Sequence, residues 1–271
     1  MESYRGNCHC GSFRFALDAA PITKATECSC SLCYQKGYLW NEVPEDSKFE
    51  VTRDDGKLDT YSSSAMEHKF CKACGTGVFG THKSGPLQGK RLVNVRTILD
   101  LNPFKFSDPD VMTTDEAARP VPPITGPVKH VGSCHCGKTT VEILAPISEQ
   151  EIKEDNCSSC VRSAWMGIYL PRKLVRYHGK ENTTDYAATS RGWTRMPFCP
   201  TCGVHLFMDV RGPPREIIDR IPAERKAEVV AIVVKNMSTA SINVRCFPEV
   251  NIAELTVERT DEGTEGYELK D

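Results

Sequence analysis

Asn7-Cys8-His9-Cys10-Gly11-Ser12 returns as Ser133-Cys134-His135-Cys136-Gly137-Lys138, and that recurrence decides the fold. Further along, Phe70-Cys71-Lys72-Ala73-Cys74-Gly75 returns as Phe198-Cys199-Pro200-Thr201-Cys202-Gly203. Between these two motifs, Cys30-Ser31-Leu32-Cys33 returns as Cys157-Ser158-Ser159-Cys160. From first cysteine to first cysteine the three repeats are 126, 128 and 127 positions apart, a near-constant offset that means duplication. Arg119 to Pro127 carries four prolines in nine positions, which favours an extended connector poor in backbone donors. Copy one is therefore expected over residues 1–118, the connector over 119–127 and copy two over 128–271.

Within each copy the hydrophobic period is mostly two. Phe13, Phe15 and Leu17 alternate with polar or small residues, as do Val141 and Ile143 in copy two. Further strands are expected over 91–99, 228–234 and 241–247, and a short helix or insertion over 214–226. The expected fold class is mainly β: two tandem zinc-binding modules of antiparallel sheets, with strands joined across metal-pinned turns.

The chain has 271 residues, 26% of them charged, with a formal net charge of −2. That balance gives no electrostatic case for sequence-independent nucleic-acid binding. No basic stretch followed by an apolar run opens the chain, and the longest aliphatic run, Val229–Val234, is too short to span a bilayer. A soluble, cytoplasmic protein is expected. The 14 cysteines are the outlier. Most sit in C-x-C or C-x-x-C pairs, which bridge internally only with strain but suit two ligands of one tetrahedral metal.

Two distant pairs make one four-sulfur site: Cys8 and Cys10 with Cys71 and Cys74, and Cys134 and Cys136 with Cys199 and Cys202. Four thiolates fill a zinc shell, so both sites are expected to be structural. Gly11, Gly75, Gly137 and Gly203 follow the pairs and fit tight turns. The central motif differs between copies. Cys28, Cys30 and Cys33 offer three thiols, the ligand number of a catalytic zinc with one position left for water or a thiol. A fourth ligand from elsewhere (His68 is a candidate), an iron–sulfur cluster and free thiols are the alternatives. In copy two Asp155 stands where Cys28 stands, before Cys157 and Cys160. Either Asp155 ligates a second metal there or that metal is lost.

Other residues read more plainly. His9 and His135 sit between ligands and are expected to face solvent or the outer shell, and His205 carries little weight because Gly77 is its counterpart. Tyr61, Tyr186, Trp40 and Trp165 are core or cleft-wall aromatics, and Cys246 is a buried core cysteine. Glu27, Tyr34, Lys36 and Tyr61 are the acid–base candidates nearest the central cysteines in sequence.

The order G-N-C-H-C-G, C-S-C-S-L-C, T-Y-S-S-S, F-C-K-A-C-G and L-V-N-V-R-T-I-L-D resembles the glutathione-dependent formaldehyde-activating enzyme family, which also contains centromere protein V. The resemblance covers most of copy one and, more loosely, copy two. It implies an Mss4-like fold, a structural zinc on Cys8, Cys10, Cys71 and Cys74, and a second zinc on Cys28, Cys30 and Cys33. It further implies glutathione as the thiol, with S-hydroxymethylglutathione formed from formaldehyde, the work of a carbon–sulfur lyase. Copy two departs at Asp155, and V-V-A-I-V-V-K-N is read as its substitute for V-N-V-R-T-I-L-D. Three functions are consistent with these residues. One is a zinc-dependent lyase or synthase acting on adducts of glutathione or a similar small thiol. The others are an enzyme for a larger glutathione conjugate and a non-catalytic zinc module for a protein or chromatin partner.

Overall fold

The computed structural model of the protein describes residues 1–106, 109–114, 116 and 123–261; positions 119–122 of the expected connector lie outside it. Copy one begins with β1 (Glu2–Asn7), β2 (Phe13–Ala19) and β3 (Thr26–Cys28), then α1 (Ser31–Lys36). It continues with β4 (Trp40–Glu42), β5 (Lys48–Asp54), β6 (Leu58–Ser62), β7 (Met66–Cys71), β8 (Gly77–His82), β9 (Leu92–Asn94) and β10 (Asp110–Met112). Strands β1-β2-β5 form one sheet and β10-β3-β4-β9-β8-β7-β6 a second. All of these pairings are antiparallel except β10 with β3.

Copy two rebuilds the plan with β11 (His130–Ser133), β12 (Thr140–Ile143), β13 (Ile152–Asp155), α2 (Ser158–Ser163), β14 (Gly167–Pro171) and β15 (Val175–His178). It closes with β16 (Thr194–Arg195), β17 (Phe207–Val210), α3 (Arg215–Asp219), α4 (Ala223–Met237), β18 (Thr239–Asn243) and β19 (Val257–Thr260). Its sheets are β11-β12-β15 and β16-β17-β18-β14-β13-β19, with β19 parallel to β13 as β10 is to β3. The mainly β fold with antiparallel sheets agrees with the sequence. The period-two residues Phe13, Phe15, Leu17, Val141 and Ile143 are all buried in the sheet cores.

Two expectations need correcting. Residues 228–234 are not a strand but the middle of α4, a 15-residue helix with Glu224 in its first turn and Lys235 in its last. Its flanks are rich in Ala, Glu, Lys and Arg, which outweigh the β preference of the valines, and none of its residues is buried against a sheet that would hold a strand. The true counterpart of Leu92-Val93-Asn94-Val95-Arg96 is Ser241-Ile242-Asn243-Val244-Arg245. Phe79 pairs with Val93 as Phe207 pairs with Ile242. Asn94 and Asn243 lie 149 positions apart against 128 for Cys71 and Cys199, so α3 and α4 occupy an insertion of 21 residues. The acidic ending of the motif is present in both copies: Asp100 bonds Arg5, and Glu249 at the matching place bonds His130.

The expected strands 91–99 and 241–247 are each cut short by a 3-10 turn, Val95–Thr97 and Val244–Cys246. Asn94 and Asn243 cause this by accepting the N–H of Arg96 and Arg245, drawing the backbone out of the strand. Cys246 is fully buried, as expected, but sits on that turn.

The two copies pack on each other through reciprocal contacts, His9 with Ser158 and His135 with Ser31 among them. Gly37 closes α1 and Ala164 closes α2, both in the left-handed region at φ 53° and 49°. A Cβ at Gly37 would lie 2.4 Å from the Ala164 Cβ, so one member of the pair must be glycine. Lys36, nearly fully buried beside them, donates from Nζ to the carbonyls of Gly75 at 2.8 Å and Gly203 at 2.5 Å. One lysine thus joins the C-x-x-C turns of both copies.

Candidate metal centres

Among the described residues, four groups of side chains bring their ligand atoms within 4.8 Å of one another. Two are the expected tetrads, Cys8/Cys10/Cys71/Cys74 and Cys134/Cys136/Cys199/Cys202. Sulfurs stand 3.6 Å apart for Cys8 and Cys10, 3.7 Å for Cys10 and Cys71, and 3.4 Å for Cys136 and Cys199. A disulfide needs about 2.0 Å, whereas four thiolates about 2.3 Å from a central zinc stand about 3.8 Å apart. The donor set and spacing fit a four-sulfur zinc. Gly11, Gly75, Gly137 and Gly203 all have positive φ, as turns at these places require. The N–H groups of Phe13 and Thr139 donate to Cys8 and Cys134 at 3.4 Å, which supports negative sulfurs.

The third group joins Cys28, Cys30 and Cys33 with His82, all buried. Cys28 ends β3, Cys30 caps α1 and Cys33 lies one turn in, so helical geometry gathers the three sulfurs. Hydrogen bonds from Cys30 and Cys33 pull the Cys28 thiol down to about 4, while burial pushes Cys33 well above its ordinary value. The His82 Nε2 is 3.8 Å from the Cys33 sulfur, and burial lowers its pKa, favouring the neutral imidazole a metal requires. His82 at the end of β8, not His68, is thus the fourth candidate ligand. His68 instead places Nδ1 2.5 Å from the Tyr38 hydroxyl. Trp40 Nε1 donates to the Cys33 sulfur at 3.2 Å, binding the core to the site.

The fourth group is Asp155, Cys157 and Cys160. Asp155 Oδ2 accepts the N–H of Cys157 at 3.2 Å, just as the Cys28 sulfur accepts that of Cys30 at 3.4 Å. The carboxylate therefore holds the turn that the thiol holds in copy one, with or without a metal. By the register of β17, Val210 stands where His82 stands, so this group has no imidazole counterpart.

His9 and His135 are half-buried, and each ring reaches into the other copy. His135 has Nε2 2.9 Å from Ser31 Oγ and Nδ1 2.8 Å from the Tyr61 hydroxyl. His9 has Nε2 3.2 Å from Ser158 Oγ and Nδ1 against the Tyr186 hydroxyl. Tyr61 and Tyr186 pack on the core of the opposite copy as well as their own. His205 is buried against copy one, its Nε2 2.5 Å from where a Cβ of Gly75 would be.

Beside the third group lies a cleft of 320 Å³ lined from both copies, by Ser29, Ser31, Tyr34 and Glu116 and by Arg245 with residues 248–251. Of the acid–base candidates only Tyr34 lines it. Glu27 faces another cleft, Lys36 is tied to two carbonyls and Tyr61 to His135. Glu116, which no motif marked, accepts the Ser31 N–H at 2.7 Å and the Ser64 hydroxyl. Burial pushes its pKa up, but these bonds outweigh it and hold the carboxyl below its ordinary value.

Paired modules with cysteine tetrads and a second thiol centre define a class of zinc-binding β proteins. The family model described as glutathione-dependent formaldehyde-activating enzyme matches residues 3–109 and 129–223. The chain belongs to that family, with both copies matched. A crystal structure of a Rhodobacter sphaeroides protein is similar at 24% identity, covering 40% of this chain and 99% of that one, with a TM-score of 0.35. Among the described residues no helix is long and apolar enough to cross a membrane.

Proposed function

We propose that the protein is a zinc-dependent carbon–sulfur lyase or synthase acting on adducts of glutathione or a similar small thiol, with Cys28, Cys30 and Cys33 of copy one as its reactive centre. The observation that carries this reading is the intact three-thiol group, set beside a cleft to which both copies contribute. Zinc held there would supply Lewis acidity, lowering the pKa of a thiol to near neutrality. The chain's own groups then bind and orient. Arg245 offers a guanidinium for a substrate carboxylate, and Tyr34 and the serines offer hydroxyls. Glu116, held ionised by its hydrogen bonds, accepts the thiol proton. The thiolate sulfur adds to the aldehyde carbon, forming the C–S bond, and the proton ends on the carbonyl oxygen; the reverse breaks that bond and releases thiol and aldehyde.

We further propose three zinc ions per chain: one on each tetrad and one on the copy-one centre, with copy two holding none at Asp155. Residues 1–118 and 128–271 are proposed as the two modules, and the cytoplasm as their compartment. His82 favours a second reading, because a Cys3His shell is closed and suits a non-catalytic zinc module for a protein partner. Glutathione separates the two. Added to cobalt-substituted protein, it should change the visible cobalt bands of the copy-one centre, and Cys30→Ser should abolish adduct turnover while the chain stays folded. Unchanged bands with no turnover would leave the closed module; full activity in Cys30→Ser would refute the reactive centre.

A further inference from the structure

A second cleft, of 720 Å³, lies between the copies and is lined in matched pairs: Glu27 and Glu154, Leu39 and Met166, Arg96 and Arg245. Successive strand side chains point to opposite faces, so Glu27 and Glu154 face away from Cys28 and Asp155. The cleft is therefore on the far side of β3 and β13 from the sulfur groups.

Its charge is unbalanced at one residue. Arg96 is only 7% exposed; its Nε donates to the Gly37 carbonyl at 2.7 Å, and among the described residues no carboxylate comes within ion-pair distance of it. Glu154, the nearest buried acid in the lining, is engaged at 3.5 Å by Arg259, which also lies 5.1 Å over the Phe104 ring. Burial lowers the Arg96 pKa to about 10, Glu154 opposes this, and the Arg245 charge adds to it. A buried guanidinium without a counter-ion is costly, and a cleft beside it is where an anion would remove that cost.

The lining also limits which anion. Among the described residues of the lining three guanidiniums face two carboxylates, an excess of a single positive charge that favours a monoanion over a phosphate dianion. Leu39, Met166 and Phe104 give the rest of the cleft apolar walls, suited to an aliphatic or aromatic body. We propose that this cleft binds a monocarboxylate with an apolar tail, the carboxylate held by Arg96 and Arg245 and the tail lying along Leu39, Met166 and Phe104. The site lies on the other side of β3 and β13 from the thiol centre and shares Arg245 with the first cleft.

Octanoate, titrated calorimetrically into the full zinc-loaded chain, tests this. The expected result is one site per chain, with octanol and acetate both binding at least about tenfold more weakly because each lacks one half of the recognition. Arg96→Gln should weaken octanoate by about tenfold or more without altering zinc content. Ala253→Trp, at an exposed position on the cleft wall, should weaken it similarly by occluding the cleft, and serves should Arg96→Gln fail to fold. No octanoate binding at millimolar concentration, equal binding of octanol, or affinity unchanged in either folded variant would overturn the proposal.

Discussion

His135 stands between two sulfurs of the copy-two tetrad, yet its Nε2 is 2.9 Å from the Oγ of Ser31, the residue after Cys30 in copy one. His9 repeats the contact toward Ser158, so each structural centre touches the second centre of the other copy. The diverged copy thus helps to build the copy-one site.

A double-mutant cycle of His135→Ala and Ser31→Ala measures that contact. Chemical denaturation should give a coupling energy of about 0.5–3 kcal/mol, as expected for side chains in direct hydrogen-bond contact. Strict additivity would contradict it.

Gly37→Ala should destabilise the chain by about 2 kcal/mol or more, because the new methyl meets the Ala164 methyl in a backbone region that disfavours side chains. A thermal melt of the variant reads this directly; an unchanged midpoint would mean the two caps do not meet.

Lys36→Met fits the length of the lysine but leaves the Gly75 and Gly203 carbonyls without this donor. The expected loss is about 3–6 kcal/mol in urea unfolding, counting two hydrogen bonds from a charged group. Both tetrads should loosen together, seen as faster zinc transfer to a chelator from each.

Asp155→Ala removes the acceptor for the Cys157 N–H and should cost about 1 kcal/mol, the worth of a turn or helix cap. Zinc content should not change. Loss of one zinc would instead make Asp155 a ligand.

How much of this could be read in the sequence follows from spacing. The tetrads and the three thiols were legible because close cysteine pairs, repeated at a constant offset, declare a shared metal. His82 was not, because it is a lone histidine 49 residues from Cys33 that only the β7–β8 hairpin brings to the cysteines. Glu116 carried no signal either; it is placed by the parallel return of β10 along β3. Asn243-Val244-Arg245 repeats Asn94-Val95-Arg96 but was displaced by the insertion that holds α4. A run of valines in that insertion looked like a strand because β-branched runs favour sheets, while the helix rests on its charged flanks. The packing of one copy on the other was invisible for a different reason: contacts such as Lys36 with Gly203 join residues 167 apart, and no spacing rule links them.

Counting zinc on the intact chain tests most directly whether copy one holds a complete second centre and copy two holds none. The expected result is three zinc ions per wild-type chain and two in folded Cys30→Ser. Two in the wild type, four in the wild type, or three retained in Cys30→Ser would contradict it.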